Sequence, residues 1–226
     1  RRSKSQVLSD LPEKDEKTIY SGMEDEQRKL YLAAHKQLVD QLQGIDSAYY
    51  EKNKIFILSQ LTKLRQICCH PALCYDDYQG SSAKLEACME LVQRAVKGKH
   101  KVLLFSQFTS MLDLIRERLA EQNTKYYCLT GNTDKQERQR LVDEFQNDDT
   151  PVFLISLKAG GTGLNLTAAD IVIHYDPWWN VAAQNQATDR AYRIGQEKQV
   201  SVFKLITRDT IEENILNLQE AKRNLA

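Results

Sequence analysis

The chain has 226 residues, 42% hydrophobic and 27% charged, with Lys plus Arg and Asp plus Glu both at 31. That composition fits a globular chain with one sizeable core, or a core with a helical appendage, and excludes a mainly disordered one. Zero formal net charge excludes nucleic-acid binding by bulk charge alone, though not by a local basic face, and apolar runs such as Val102-Leu103-Leu104-Phe105 are too short to span a bilayer.

Residues 1–18 form a polar leader with Pro12 and alternating charges, and Arg1-Arg2-Ser3-Lys4 opens no apolar signal segment. From Glu24 to about Cys69 the period is helical. Leu30, Tyr31, Ala34, Leu38 and Leu42 share one face, and Ile57, Leu58, Leu61, Leu64 and Ile67 share a second, with a turn at Gly44–Ser47. The stretch Tyr75–Ser81 has linker chemistry. After Ser82, apolar or β-branched runs alternate with amphipathic helices. The predicted strands are Val102–Ser106, Tyr126–Leu129, Val152–Leu157, Ile171–Tyr175 and Val200–Ile206. Between them Met111, Ile115 and Leu119 share a helical face. Thr133 with Gln136 reads as a capping box before Leu141, Val142 and Phe145, and Thr210 with Glu213 as another before Ile211, Ile215 and Leu218. This alternation predicts an α/β domain with a mostly parallel sheet covered on both faces, and ligands beyond the carboxyl ends of its strands.

Five cysteines without framework spacing point to a reduced protein. Cys68-Cys69-His70 and Cys74 lack a second ligand pair, so they read as a helix end stopped by Pro71, with half-buried thiols and no metal. Gly160, Gly161 and Gly163 follow a predicted strand directly, as an anion-cradling turn would; a tight strand-to-helix turn explains them equally well. The dinucleotide pattern fails at its third glycine, where Leu166 stands, and Asp176 comes only 13 residues after Gly163, against about 20 expected. Gly98-Lys99-His100 is not a P-loop. Asp143-Glu144-Phe145-Gln146 resembles a magnesium box only by letters and reads as a solvated helix face.

The segment Asp176–Gln196 is the most informative. Asn180 is a candidate N-cap and Gly195 a candidate helix stop. A continuous helix between them puts Gln186, Arg190 and Arg193 at i, i+4 and i+7 on one face. That face is either solvated or an anion clamp, since guanidiniums are fixed-charge forks suited to phosphate oxygens.

The run DRAYRIGQ, preceded by HYDPWWN and SLKAGGTGLNLTAAD, resembles the second motor lobe of the SWI2/SNF2 family of superfamily 2 DNA translocases. KVLLFSQFTSML (101–112), YYCLTGNT (126–133) and LRQICCHPAL (64–73) extend the resemblance over essentially the whole chain. It implies a RecA-like three-layer lobe at 81–208 that closes an ATP cleft with a first lobe. Residues 1–18 are then the linker from that lobe, 19–80 a helical protrusion and linker, and 209–226 a brace helix. It implies that the first lobe binds most of ATP and Mg2+, and that the isolated fragment is inactive as an ATPase. Arg190 and Arg193 match arginine fingers, and Gln186 matches the family glutamine facing the nucleotide or the lobe interface. Gly161, Thr162 and Gly163 match a cleft-coupling turn. Ser106, Gln107, Gly131, Lys158 and Trp178 match positions that face the backbone of double-stranded DNA; for Trp178 and Trp179, core and surface packing is an equal reading. Departures are Val181 where the family often has Pro, and Tyr192 where many members have His.

The implied partners are duplex DNA, the chain's own first lobe and a DNA-bound protein. The setting is bacterial and cytoplasmic, associated with the nucleoid, or nuclear in a eukaryote. A non-catalytic DNA- or protein-docking module and a strand-separating helicase are the alternatives.

Overall fold

The computed structural model describes residues 12–43, 47–159 and 163–224, with side chains at 47–52 and 223–224 left aside. The residues group into two compact units, one of 1–19 with 88–205 and one of 20–87 with 206–226.

The first unit is an α/β lobe built on an all-parallel, six-stranded sheet. Its strands are β1 (Lys14–Ser21), β2 (Val102–Ser106), β3 (Tyr126–Leu129), β4 (Val152–Ser156), β5 (Ile171–His174) and β6 (Val200–Thr207). Their order is β1-β6-β5-β2-β4-β3. Every residue of β2, β4 and β5 is buried, so both sheet faces are covered, as the unbroken apolar runs predict. The register pairs Val102 with Val152 on one side and with Ile171 on the other, which aligns the carboxyl ends of all three strands. Five strands match expectation within a residue or so. β1 is new. Its sequence, KDEKTIYS, falls within the polar leader and protrusion, yet it forms a sheet edge, where charged side chains guard unpaired backbone groups.

The seven α-helices of the described residues are α1 (Asp25–Leu42), α2 (Ser47–Cys69), α3 (Ala83–Lys97), α4 (Thr109–Glu121), α5 (Lys135–Asn147), α6 (Val181–Thr188) and α7 (Ile211–Asn224). Met111, Ile115 and Leu119 on α4, and Leu141, Val142 and Phe145 on α5, are buried as their spacing requires. The cap of α5 differs from expectation. Asp134, not Thr133, accepts from the amides of Gln136 and Glu137, both at 2.9 Å. Thr133 Oγ1 accepts from Thr130 N instead, closing the preceding turn. At α7, Thr210 Oγ1 accepts from Glu212 N, and the Glu213 carboxylate accepts from Asp209 N, a near relative of the expected box.

In the second unit α1, α2 and α7 share a core of Tyr31, Ala34, Leu38, Leu64, Ile67, Cys68, Ile211 and Ile215. Leu42, Leu58 and Leu218, expected on the apolar faces, are exposed. The α2 end follows expectation: Pro71 opens a 3-10 turn, and His70 Nδ1 accepts from Ala72 N. Cys68 and Cys69 are fully buried where half-buried thiols were expected, and burial pushes the Cys68 thiol up. Lys84 on α3 and Glu212 on α7 form a buried ion pair, with Nζ at 2.6 and 2.5 Å from the two carboxylate oxygens. Glu212 also accepts from Thr207 N at 2.7 Å.

Candidate functional site

The chain leaves β2 toward β3 and leaves β5 toward β6. The topological switch point of the sheet therefore lies between these two carboxyl strand ends. Asp176, just past β5 and buried, bridges them. It accepts from Ser106 Oγ at 2.6 Å and from Gln107 N at 3.3 and 3.4 Å. Ser106 Oγ accepts in turn from Phe108 N at 3.1 Å. Ser106 is 1% exposed, and its hydroxyl shapes the turn from inside. Gln107 is half-buried, and its Nε2 has no hydrogen-bond partner among the described residues.

The arginines are not on a helix. Asn180 caps α6 as expected, accepting from Ala182 N and Ala183 N, but α6 stops at Thr188. Tight bonds from Arg190 N to Ala187 O and from Ala191 N to Thr188 O unwind the chain into turns that run to Gly195 (φ +95°). The expectation of one continuous helical face is thus corrected. Gln186 is exposed on α6, whereas Arg190 and Arg193 sit in the loop after it.

That loop is held from several sides. Thr188 Oγ1 lies 3.4 Å from Gln184 O and shares a hydrogen bond of 2.8 Å with His174 Nε2. His174 is buried and stacked on Phe105, and burial lowers its pKa to about 3, so the ring is neutral. The amide Nε2 of Gln196, also buried, donates to the carbonyls of Thr167, Ala169 and Ala191 at 3.1, 2.8 and 3.0 Å. Arg190 O accepts from Leu166 N at 3.0 Å, and Arg193 Nη1 donates to Leu164 O at 3.2 Å. The arginine loop and the segment after the glycine turn are therefore stitched together. Arg190 is 7% exposed, and burial, with the neighbouring Arg193 charge, pushes its pKa down.

Of the other expected residues, Lys158 and Gly131 are exposed, and Trp178 is half-buried with its backbone N–H donating to Gln184 Oε1 at 3.2 Å. Gly163 has φ +27°, a strained value for any other residue. Gly161 and Thr162 lie outside the described residues. Gly163, Leu164 and Asn165 face α5 residues Lys135, Arg138 and Gln139 across an open cleft of about 820 Å³. Asp176, His174, Gln184 and Gln196 were not expected in the site. Their signal is long-range: each is a buried polar residue that acts on a segment far away in sequence or on a loop backbone.

The description "Helicase conserved C-terminal domain" matches residues 83–195, and "SNF2-related domain" matches residues 1–73. The chain is 44% identical over 234 residues to the putative ATP-dependent helicase/translocase YwqA of Bacillus subtilis, covering all of this chain and 25% of that protein. The SWI2/SNF2 ATPase core of Sulfolobus solfataricus in complex with dsDNA superposes with a TM-score of 0.81 at 38% identity, over 98% of this chain and 47% of that one. The C-terminal domain of the same ATPase gives 0.78 at 36% identity, over 93% and 87%. The chain thus spans about a quarter of the curated relative and about half of the ATPase core. Together with the parallel sheet and its arginine loop, these matches establish that the chain belongs to the SNF2-type helicase family and carries its conserved C-terminal helicase domain.

Proposed function

We propose that this chain is the arginine-donating half of an ATP-driven translocase of double-stranded DNA. One observation carries the reading: two guanidiniums, one nearly buried, lie in a single loop after α6 that is stitched to the segment following the glycine turn. Such a pair suits a polyoxyanion such as a terminal phosphate. The names of the relatives support the same reading, since one is called an ATP-dependent helicase/translocase and a structural neighbour was solved with dsDNA.

In this reading ATP binds on a first lobe, and closure brings Arg190 and Arg193 to its γ-phosphate, with Gln186 toward the nucleotide or the lobe interface. In the same reading Mg2+ is held with the nucleotide on the first lobe. There the ion neutralises developing phosphate charge. Residues 1–18 enter from that lobe, 19–80 form the protrusion, 81–208 the motor lobe and 209–226 the brace. Gln107, Gly131, Lys158 and Trp178 face the DNA backbone, and Gly161, Thr162 and Gly163 couple it to the cleft. Ser106 acts through Asp176 by shaping the Gln107 turn. Backbone contacts carry no base information, so binding is sequence-independent and weakens steeply with salt. The setting is the bacterial nucleoid; no described helix is long and apolar enough to cross a membrane.

The test is phosphate release from ATP by this chain alone, with and without duplex DNA, beside the protein carrying both lobes. No turnover by the chain and DNA-dependent turnover by the two-lobe protein is expected. Turnover by the chain alone, persisting after loss of both arginines, would overturn the reading.

A further inference from the structure

Tyr192 stands between the two arginines, and the function proposed above gives it no task. It is half-buried against the core of the lobe. Over its ring lies the ammonium of Lys14, 5.7 Å from the centroid, within the range of a cation–π contact. Lys14 begins β1, the edge strand that continues the leader of the chain. Its ammonium is also fixed by Glu16 at 2.7 Å, and Glu16 is held from the other side by Lys204 of β6 at 3.1 Å. These two ammonium groups hold the Glu16 carboxyl down at about 2, despite the burial that opposes them. The Lys14 head is therefore placed by two anchors, one on its own strand and one on the arginine loop.

We propose that Lys14 and Tyr192 form a positioning contact through which strand β1 sets the arginine loop. Resting on the function proposed above, this makes the segment that enters from the first lobe part of the device that places the arginines. Inside the lobe the loop is gripped by Gln196 and Thr188. On its outer side, Lys14 is the charged group over its central aromatic ring. A displacement of β1 relative to β6 moves that group, and with it the preferred position of the ring between Arg190 and Arg193.

The test uses the two-lobe protein. Lys14→Met keeps the aliphatic stem and removes the charge, whereas Lys14→Arg keeps a cation. Tyr192→Leu removes the ring, whereas Tyr192→Phe keeps it. We expect kcat for DNA-stimulated ATP turnover to fall two- to five-fold in Lys14→Met and in Tyr192→Leu, equivalent to about 0.4–1 kcal/mol at 1.4 kcal/mol per tenfold. Lys14→Arg and Tyr192→Phe should match the wild type, the double variant should be no worse than either single, and the Kd for duplex DNA should not move. A Lys14→Met variant with wild-type kcat, or two single effects that simply add, would overturn the coupling. Arg190→Ala run alongside separates the causes: if it turns over normally, the parent reading has failed; if it is inactive while Lys14→Met is normal, only this inference has.

Discussion

Both units bury neutral side chains against backbone, but the helical unit alone centres on a closed Lys–Glu pair among the described residues. In the helical unit the buried polar centre is a full ion pair, Lys84 with Glu212, both side chains 1% exposed. In the sheet lobe the buried groups around the arginine loop are largely neutral side chains aimed at backbone: Gln196 on three carbonyls, Thr188 on Gln184 O, and a neutral His174 behind it. A buried ion pair is answered first by its opposite charge, although Glu212 also accepts from the Thr207 amide. A side chain bonded to loop backbone answers to the path of the chain. Polar burial in the helical unit thus specifies how α7 docks within that unit, while in the lobe it specifies where the arginines lie.

The comparison can be broken most forcefully at the ion pair. Glu212→Gln or Lys84→Met alone strands a buried partner and should cost about 3–5 kcal/mol in urea unfolding. The double change Lys84→Met with Glu212→Leu should recover part of that loss, because no charge is left unpaired and only the Thr207 amide loses its acceptor. Failure of the double to recover would mean that the pair is not separable from the rest of the unit.

In the lobe, Gln196→Ala should strand loop carbonyls at about 1–3 kcal/mol for each one that stays buried. Hydrogen exchange should rise in residues 189–198 before it rises in β2 or β4. DNA-stimulated turnover of the two-lobe protein should drop by about tenfold or more, the factor that 1.4 kcal/mol of lost loop placement gives. Unchanged exchange in that segment would remove the claim that Gln196 fixes the loop.

His174 gives a pH signature to the lobe and none to the helical unit. Its folded pKa of about 3 lies below the ordinary 6.5, so the unfolded chain binds the proton first. Its contribution is fully present above about pH 6.5 and is lost as pH falls toward 3, at about 1.4 kcal/mol per pH unit inside that window. His174→Gln should flatten this part of the stability curve; an unaltered slope would contradict the neutral buried ring.

The smallest effect sharpens a local point. Asp134→Ala should lower stability by about 1 kcal/mol in a thermal melt through loss of the α5 cap, and Thr133→Ala by less. Equal losses would restore Thr133 to the cap.

The interior of the lobe was legible because β2, β4 and β5 are unbroken apolar runs with turn residues between them, a pattern that parallel-sheet burial imposes. β1 was not, because in KDEKTIYS only Ile19 and Tyr20 are apolar, and an edge strand needs little more. The arginines were legible as a motif but not in their geometry. Nothing local in ATDRAYRIG opposes a helix strongly. The chain is unwound by the tight turns after Thr188 and by distant partners, Leu166 on Arg190 O and the Thr167 and Ala169 carbonyls on Gln196, whose effect no helical period registers. Asp176 stands too close to Gly163 for a ribose partner; its task, holding the turn after β2, needs the parallel register that brings residues 106 and 176 together.

The central claim is that Arg190 and Arg193 act on ATP and not on DNA. The most direct measurement is phosphate release by the two-lobe protein at saturating duplex DNA, wild type against Arg190→Ala and Arg193→Ala, with duplex Kd determined on the same samples. The account predicts that each substitution lowers turnover by about 10³–10⁵-fold, the contribution of an arginine finger, while Kd stays within about twofold of wild type. Wild-type turnover in both variants, or a loss of turnover that follows a matching loss of DNA affinity, would contradict it.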